Sequence, residues 1–412
     1  MVVDTFVIVG GGLAAARAIE AIRDGDHSGP VVLVSDDVEL PYDHPPLSKV
    51  VLAGTEPAAT AFLHPLEWYA EHDVDLHLGV TATRLDPRAH TLDLADGAQI
   101  EWDRLLLATG SSVRRLDVPG ADLDNVMYLR TMAQSTTLRD RLATGGPVVI
   151  IGAGWIGLEV AAAARSHGCD VTVVEPQPTP LAGVVGERVG SFFTDLHSSH
   201  GVKFRLGEGV QRLEGSDAVT SVVTSAGEEL SARTVVVGIG VTPNTGLAAD
   251  AGLEVSEGIV CDEALRATVP DVYAAGDVAN WPHPTLGQRL RVEHWANAND
   301  GGYAAGQSML GQDVRYDAIP FFFSDQYDAG LEYAGHVPRD TATEVVLRGD
   351  PAAGEFMAFW TADGRVLAGM HVNVWDTIDH VQALVRNKSV VDPQRLADPD
   401  TPLTDLVGES GS

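Results

Sequence analysis

The sequence predicts an α/β fold with two Rossmann-like βαβ units, followed by a smaller α+β region. Two short apolar runs, near residues 6 and 148, each lead into a glycine-rich turn and then an alanine-rich helix. Such runs indicate strands that are buried on both faces of a parallel sheet. From residue 321 onward, aromatic and alternating segments replace this pattern, which indicates an antiparallel sheet with a helix.

The first βαβ unit combines the strand Phe6–Val9 with the spacing Gly10-x-Gly12-x-x-Ala15. Gly10 permits the tight turn, Gly12 lets backbone N–H groups approach a pyrophosphate, and Ala15 lets helix and strand pack closely. The second strand leads to Asp36 and Asp37, and an acid at this place can accept hydrogen bonds from an adenosine ribose. We therefore predict a dinucleotide site, the alternative being a glycine turn in another α/β protein. Its candidate contacts are Gly10, Gly12, Leu13, Ala14, Ala15 and Asp36.

The second βαβ unit repeats every element of the first. Val148–Ile151 is the strand, Gly152-x-Gly154-x-x-Gly157 is the turn, and Val171–Glu175 is the next strand, with an acid at its end. Two units imply two dinucleotides, or one dinucleotide and a degenerate copy, and we favour two because both units are complete. The candidate contacts are Gly152, Gly154, Trp155, Ile156, Gly157, Glu175 and, in a later strand-to-turn segment, Gly240.

Glu175 predicts a preference for NAD over NADP. A carboxylate at the strand end accepts the ribose 2′-OH, whereas a 2′-phosphate would meet like charge at a cost of several kcal/mol. Half of a ~3 kcal/mol penalty would already discriminate about tenfold. No arginine follows Glu175 closely enough to offset the repulsion. The alternative is that Glu175 is only a solvated strand end.

Composition narrows the range of partners and compartments. The formal net charge of −31 argues against nucleic acid and against anionic membrane surfaces as partners. No apolar stretch approaches 18 residues, so we expect no transmembrane helix. The cysteines Cys169 and Cys261 are far apart and outside any C-x-x-C spacing, so we expect no disulfide framework, no metal site and a cytoplasmic location.

The remaining segments give a coarser prediction. We expect antiparallel strands at Leu76–Leu78 and Thr91–Leu94, with a hairpin turn at Asp96-Gly97 after the second of them. A small-residue helix is predicted from about Asn299 to Leu310. The tail after Val391, rich in Asp, Pro and Ser, is expected to be poorly ordered.

The order of motifs resembles one family across nearly the whole chain. This family is the FAD-dependent, NADH-oxidising ferredoxin reductases of bacterial oxygenase systems, of the putidaredoxin-reductase and biphenyl-dioxygenase-reductase type within the glutathione-reductase superfamily. Besides the two glycine turns, the resemblance is carried by Pro45-Pro46-Leu47-Ser48-Lys49, Ala108-Thr109-Gly110, Tyr128-Leu129-Arg130-Thr131, Thr242-Pro243-Asn244, Ala275-Gly276-Asp277-Val278 and Ser324-Asp325-Gln326-Tyr327-Asp328.

The resemblance implies three domains: an FAD-binding domain of residues 1–113 and 243–318, an NAD-binding domain of residues 114–242, and a C-terminal α+β domain of residues 319–412. It implies FAD and NADH as cofactors and a [2Fe–2S] ferredoxin as the partner that supplies a monooxygenase or a Rieske oxygenase. We also expect a monomer or weak dimer.

The resemblance further implies roles for individual residues. Lys49 lies near flavin N5 and Glu159 near the nicotinamide amide, and these two are the candidate catalytic residues. Lys49 is one of only three lysines in the chain, which favours a specific role. The other residues implied to contact FAD are Ala82, Thr109, Gly110, Arg130, Asp277, Glu293, His294 and Trp295.

Two positions depart from the family pattern. His44 stands where the family usually has arginine before Pro-Pro-Leu-Ser-Lys, and Phe323 stands where it usually has tryptophan. Histidine loses the permanent charge of arginine, so we expect FAD affinity to fall between pH 6 and 8. Phenylalanine keeps the packing of tryptophan but loses its N–H donor.

Other functions on the same scaffold stay open at this point. A disulfide, peroxide or coenzyme A disulfide reductase would need a redox cysteine beside the flavin, and neither cysteine lies near the Ser48-Lys49 segment. An NADH oxidase and a redox-sensing protein of the apoptosis-inducing-factor type are further alternatives. For a ferredoxin partner, Arg289, Arg291 and Arg315 are candidates for a local basic docking patch.

Overall fold

The structure is a computed structural model that describes residues 3–408. The chain divides into two compact units. The first contains residues 1–43, 61–112 and 242–322, and the second contains residues 44–60, 113–241 and 323–412. No helix in the described part of the chain is long and apolar enough to cross a membrane.

The first unit is built on a five-stranded parallel sheet. Its strands lie in the order Val272–Ala274, Arg104–Leu107, Phe6–Val9, Val31–Ser35 and Val74–Leu78. The central strand Phe6–Val9 is buried at every position, as its continuous apolar run predicts. The prediction for Leu76–Leu78 is wrong in orientation. This segment belongs to an edge strand, and its alternation reflects one-sided burial rather than an antiparallel partner.

Two helices of this unit pack through small residues. Helix Leu13–Asp24 follows the first glycine turn, and helix Trp295–Met309 contacts it over most of its length. A Cβ on Gly302 would lie 2.4 Å from the carbonyl oxygen of Ala14, and a Cβ on Gly306 would lie 2.5 Å from that of Ala18. The second of these helices begins at Trp295 rather than at the predicted Asn299. Its N-cap residue is His294, whose backbone is extended.

The remaining elements of the first unit flank this core. The hairpin turn at Asp96-Gly97 is confirmed, with Gly97 at a φ of +91°. The antiparallel strands are Ala82–Asp86, Thr91–Leu94 and Gln99–Glu101. A second small sheet contains Ile259–Val260, Ala279–His283 and Gln288–Leu290. The short helices are Leu66–Glu71, Gly246–Asp250 and the 3₁₀ turn Gly276–Val278.

The second unit contains another five-stranded parallel sheet. Its strands lie in the order Lys203–Leu206, Asp170–Glu175, Pro147–Ile151, Thr234–Val237 and Val126–Met127. An antiparallel sheet of Val210–Gly215, Val219–Thr224 and Glu229–Ser231 packs beside it. The helices are Pro45–Ser48, Val50–Ala53, Met132–Leu142, Trp155–Ser166 and Ala182–Ser199.

The C-terminal region forms an antiparallel sheet with a helix, as the sequence predicts. The strands lie in the order Phe321–Gln326, Ala329–Gly335, Arg365–Val372, Glu355–Ala362 and Glu344–Asp350. Helix Ile378–Arg386 packs on this sheet. The expectation of a poorly ordered tail is wrong for residues 392–408. Helix Pro393–Ala397 and the turn Leu403–Asp405 are anchored by three buried leucines, Leu396, Leu403 and Leu406; residues 409–412 lie outside the described part.

The close approach of the two helices predicts a stability effect at Gly302. The Gly302→Ala variant places a methyl group against the backbone of Ala14, so we expect the free energy of unfolding to fall by about 1–3 kcal/mol. Chemical denaturation followed by circular dichroism measures this change. Gly246→Ala is the matched control, because nothing lies within 4 Å of a Cβ at that position. Equal stability of the two variants would contradict the packing argument.

Candidate functional site

In the first unit, the candidate cofactor residues follow the carboxyl ends of the parallel strands. Gly10 follows Phe6–Val9, Asp36 follows Val31–Ser35, Thr109 lies two residues beyond Arg104–Leu107, and Asp277 lies three residues beyond Val272–Ala274. Because these ends share one edge of the sheet, the four segments converge. Open α/β sheets bind ligands at this edge.

The first glycine turn leaves no room for a side chain and leaves backbone donors available. Gly10 has a φ of +124°, and a Cβ there would lie 2.1 Å from the carbonyl oxygen of Ala108. Gly12 caps helix Leu13–Asp24 without a side-chain hydrogen bond, and the first turn of that helix contains no acidic residue. The backbone N–H groups of Leu13 and Ala14 can therefore donate to a pyrophosphate. This turn fits the adenosine diphosphate half of FAD.

A reciprocal pair of hydrogen bonds fixes the Thr109-Gly110 turn. The Thr109 hydroxyl donates to the Asn244 carbonyl oxygen at 2.7 Å, and the Asn244 side-chain amide donates to the Thr109 carbonyl oxygen at 2.8 Å. The Asn244 backbone N–H also donates to the Gly110 carbonyl oxygen at 2.9 Å. These bonds join the Ala108-Thr109-Gly110 and Thr242-Pro243-Asn244 segments.

The acids after the second strand have different environments. Asp36 is exposed. The Asp37 carboxylate accepts a hydrogen bond from the Tyr42 hydroxyl at 2.8 Å and another from the backbone N–H of Glu39. Asp36 is thus the acid available to a ribose, and Asp37 holds the following loop. Ala82 lies further along, at the start of strand Ala82–Asp86.

The Glu293-His294-Trp295 segment leads into helix Trp295–Met309. The Trp295 indole N–H donates to Asp43 at 2.8 Å. Burial raises the pKa of the Asp43 carboxyl, although this hydrogen bond lowers it. The His294 ring lies 4.7 Å from that of Phe322, and Glu293 pairs with Arg291 at 2.5 Å. The segment is therefore held in one geometry by its own unit.

The second glycine turn, in the second unit, repeats the geometry of the first. A Cβ on Gly152 would lie 2.4 Å from the carbonyl oxygen of Gly238, and one on Gly157 would lie 2.2 Å from that of Gly152. Nothing lies within 4 Å of a Cβ on Gly154. Trp155 opens the helix and contacts Phe193 edge-to-face. Ile156 is exposed beside this turn.

Glu175 is hydrogen-bonded to this turn. One of its oxygens accepts from the Ala153 backbone N–H at 2.7 Å, and the other accepts from that of Gln177 at 2.9 Å. A carboxylate has about four acceptor positions, so positions remain for a ribose hydroxyl. Gly240, with a φ of +96°, follows the neighbouring strand Thr234–Val237. The turn and its acid fit an NAD half-site.

A cluster of charged and hydroxyl groups surrounds the buried Glu159 in the second unit. Its carboxylate accepts from the Ser48 hydroxyl at 2.5 Å and from the Ser324 hydroxyl at 2.6 Å. The Lys49 ammonium lies 3.8 Å from the same carboxylate and 3.0 Å from that of Asp325, and it sits 4.4 Å from the centre of the Phe323 ring. The structure therefore brings together the two residues predicted to be catalytic.

The charge state of Glu159 depends on these neighbours. Burial raises the pKa of this carboxyl, whereas the Lys49 ammonium and the two serine hydroxyls lower it. Phe323 belongs to the same cluster, because its ring face contacts the Lys49 ammonium in a cation–π arrangement. The phenylalanine that replaces the usual tryptophan thus packs against Lys49.

The environment of His44 contradicts its expected pH dependence. Burial, with a further contribution from the Arg130 guanidinium, lowers the pKa of His44 to about 3. The imidazole is therefore neutral throughout pH 6–8. The backbone of Arg130 is held in position because its N–H donates to the Gln134 side chain. The same side chain accepts from the Thr131 backbone N–H in a capping box.

Neither cysteine has the environment of a redox thiol. Cys169 and Cys261 are both buried and free. Burial raises the pKa of the Cys261 thiol to about 12, and it also raises the pKa of the Cys169 thiol. A redox-active cysteine needs a lowered pKa and access to its substrate. Within residues 3–408, no group of three or more His, Cys, Asp or Glu side chains could hold a metal ion.

Comparison with known proteins decides the family. A family model described as pyridine nucleotide-disulphide oxidoreductase matches residues 4–302, and one described as reductase C-terminal matches residues 321–407. The chain belongs to the pyridine nucleotide-disulphide oxidoreductase family. This oxidoreductase is 38% identical over 400 residues to the ferredoxin–NAD(+) reductase component of the anthranilate 1,2-dioxygenase system of Burkholderia cepacia, covering 97% of this chain and 98% of that protein.

Two solved structures extend this similarity to the whole fold. The ferredoxin reductase for the CYP199A2 system from Rhodopseudomonas palustris matches with a TM-score of 0.93 and 35% identity, covering 98% of this chain and all of that one. The covalent putidaredoxin reductase–putidaredoxin complex matches with a TM-score of 0.94 and 33% identity, covering 98% of each chain. The family resemblance, the fold class, the enzyme class and the use of FAD and NAD(H) are thereby confirmed.

Several residues of the Glu159 cluster were not singled out from the sequence. Ser48, Ser324 and Asp325 lie inside motifs that carry the family resemblance, so their position next to Lys49 and Phe323 was an available signal. His197 of helix Ala182–Ser199, whose ring lies 2.9 Å from the Gln326 side chain, lies in no motif, and nothing in its local sequence distinguishes it from a surface histidine. The individual roles and the three domain boundaries stay predictions. Residues 44–60, which include Lys49, group with the second unit.

Because burial lowers the pKa of His44 to about 3, we predict that FAD affinity does not change with pH through protonation of this imidazole. Between pH 6 and 8, we expect the FAD dissociation constant of the wild type to be flat and to run parallel to that of His44→Gln. Fluorescence titration of the apoprotein with FAD measures both profiles. A wild-type affinity that falls severalfold across this range, with a flat His44→Gln profile, would restore the original expectation.

Proposed function

We propose that this oxidoreductase is an NADH:ferredoxin reductase. When bound, FAD would supply the redox chemistry that links hydride transfer from NADH to single-electron transfer to a [2Fe–2S] ferredoxin, which supplies a monooxygenase or a Rieske oxygenase. The observation that carries this function is the pair of complete glycine turns, each at the carboxyl edge of its own parallel sheet. Two dinucleotides in one chain, without a redox thiol, match electron transfer to an external acceptor.

The chain's own groups bind and orient the reactants. The helix N-terminus at Gly12 holds the FAD pyrophosphate, with Asp36 on the adenosine ribose and Asp277 near the ribityl chain. The turn at Gly154 holds the NADH pyrophosphate. Lys49 contributes positive charge near flavin N5, and Glu159 accepts a hydrogen bond from the nicotinamide amide. The remaining candidate contacts, Ala82, Thr109, Gly110, Arg130, Glu293, His294 and Trp295, orient the flavin.

The docking surface for ferredoxin needs a correction. Arg289 donates to the backbone carbonyl oxygens of Cys261 and Asn280, so its guanidinium is a structural group. The side chain of Arg291 is only 16% exposed and pairs with Glu293. Arg315, which is 67% exposed and pairs with the exposed Glu263 at 3.3 Å, remains the candidate for contact with a partner. We further propose that the protein is cytoplasmic, because its free thiols suit a reducing compartment. We also propose that it is a monomer or weak dimer.

Anaerobic stopped-flow mixing tests the function. The FAD-loaded protein should bleach rapidly with NADH and should reoxidise rapidly when an oxidised [2Fe–2S] ferredoxin is added. A long-lived reduced complex that ferredoxin barely discharges would favour the redox-sensing alternative. Rapid reoxidation by oxygen alone, with no acceleration by ferredoxin, would favour an NADH oxidase.

Glu175 generates a separate prediction about cofactor choice. In the Glu175→Gln variant, one side-chain oxygen still accepts a hydrogen bond, but the charge that repels a 2′-phosphate is lost. We expect the ratio of kcat/KM for NADH to that for NADPH to fall by about tenfold. Glu208→Gln, a change of the same kind at a nearby acid, serves as the control. An unchanged ratio in Glu175→Gln would assign the discrimination to other residues.

A further inference from the structure

A continuous line of hydrogen bonds leads from Glu159 into the buried C-terminal sheet. Beyond Ser324, the Gln326 side-chain amide nitrogen lies 3.1 Å from the Ser324 hydroxyl oxygen. The Gln326 carbonyl oxygen lies 2.9 Å from Nε2 of His197. The Tyr327 hydroxyl lies 3.4 Å from Nδ1 of the same ring, which is the longest step. Ser324, Gln326 and His197 are each 1% exposed or less.

An ionised Glu159 sets the direction of every donor in this line. Ser324 has one hydroxyl hydrogen, and an ionised Glu159 can only accept, so that hydrogen points to Glu159. The Ser324 oxygen must then accept from the Gln326 amide N–H₂, which turns the Gln326 carbonyl oxygen toward His197. His197 therefore carries its hydrogen on Nε2. All the bonds point toward Glu159, and hydrogen bonds aligned in this way strengthen one another.

The reverse alignment would require a different charge on Glu159. If the Gln326 amide were flipped, its oxygen would take the Ser324 hydrogen. The Ser324 oxygen would then face the Glu159 carboxyl as an acceptor at 2.6 Å, which is tolerable only if Glu159 is protonated. The orientation of Gln326, and with it the tautomer of His197, is thus coupled to the charge of Glu159.

We propose that Ser324, Gln326 and His197 are positioning residues that keep Glu159 ionised and hold its free acceptor positions toward the nicotinamide amide. The second half of this statement rests on the proposed function. The alternation of the strand explains the spacing, because Ser324 and Gln326 share its buried face while Asp325 points to the opposite side. Lys49 and Asp325 are the charged groups that act on the Glu159 carboxyl besides this line.

Burial makes this arrangement necessary. Transfer of a carboxylate from water favours its protonated form, and burial is the largest influence on the pKa of Glu159. Burial also lowers the pKa of His197 to about 4, so the imidazole is neutral in the working range and keeps one hydrogen for Gln326.

Infrared titration of the FAD-loaded protein tests the proposal directly. The carbonyl stretch of protonated Glu159, assigned with Glu159→Gln, gives the midpoint of its titration. We expect Ser324→Ala to raise this midpoint by about one pH unit, because a hydrogen bond to a charged acceptor is lost. Gln326→Leu should raise the midpoint by a smaller amount. In the Ser324→Ala background, Gln326→Leu should add nothing, because it acts through Ser324.

Controls separate this role from a structural one. His371→Gln alters a buried histidine of the sheet that contains Ser324 and Gln326; His371 is bonded to Glu332 rather than to this line, and its replacement should leave the midpoint unchanged. Gln326→Met replaces Gln326→Leu if the latter does not fold, as judged by flavin absorbance and thermal unfolding. Coincident midpoints for wild type and Gln326 variants, or shifts that add in the double variant, would overturn the proposal.

Stopped-flow reduction by NADH supplies the functional half of the test. Between the wild-type midpoint and the shifted midpoint, the Ser324→Ala and Gln326→Leu variants should reduce more slowly than wild type at saturating NADH, and outside this interval the rates should converge. If the infrared midpoints shift but NADH fails to reduce the wild-type flavin, the proposed function fails and the charge assignment stands. If NADH reduces the wild type rapidly and all variants follow its pH profile, the positioning role fails.

Discussion

The close approach of backbone to backbone at the ends of two parallel strands constrains the rest of the structure. At Gly10 and at Gly152, the carbonyl oxygen of a neighbouring strand-end segment occupies the space that a side chain would take. This contact lets each following helix begin beside the strand, with its N–H groups at the edge of the sheet. A dinucleotide pyrophosphate can be held there by backbone groups alone, without a charged side chain on the phosphates.

The sequence predicts an element correctly where local residue type and spacing favour the same structure as the tertiary fold. The glycine turns, the buried strands and the Asp96-Gly97 hairpin follow from residue type and spacing, and the structure contains them. Leu76–Leu78 was misassigned because an edge strand of a parallel sheet is half exposed, and this produces the alternation of an antiparallel strand. The tail was misassigned because its composition is polar, although three leucines anchor it.

In the candidate site, too, some residues could be predicted from the sequence and others could not. Lys49 and Glu159 were identified through motifs, and the structure pairs them. The pKa of His44 could not be predicted, because it depends on burial and on Arg130, which is 86 residues away in the sequence. His197 could not be predicted for a similar reason. Its significance comes from one contact with Gln326 across 129 residues, and no periodicity reports such a contact.

The two buried thiols have a practical consequence for studying the transient complex with an electron acceptor. Since both have raised pKa values and lie inside the protein, maleimide or disulfide reagents should leave them untouched under native conditions. A cysteine introduced at the exposed Arg315 would then be the preferred point of attachment. Spin labels, fluorophores or cross-linkers could be placed there in the otherwise native chain, without first removing the natural cysteines.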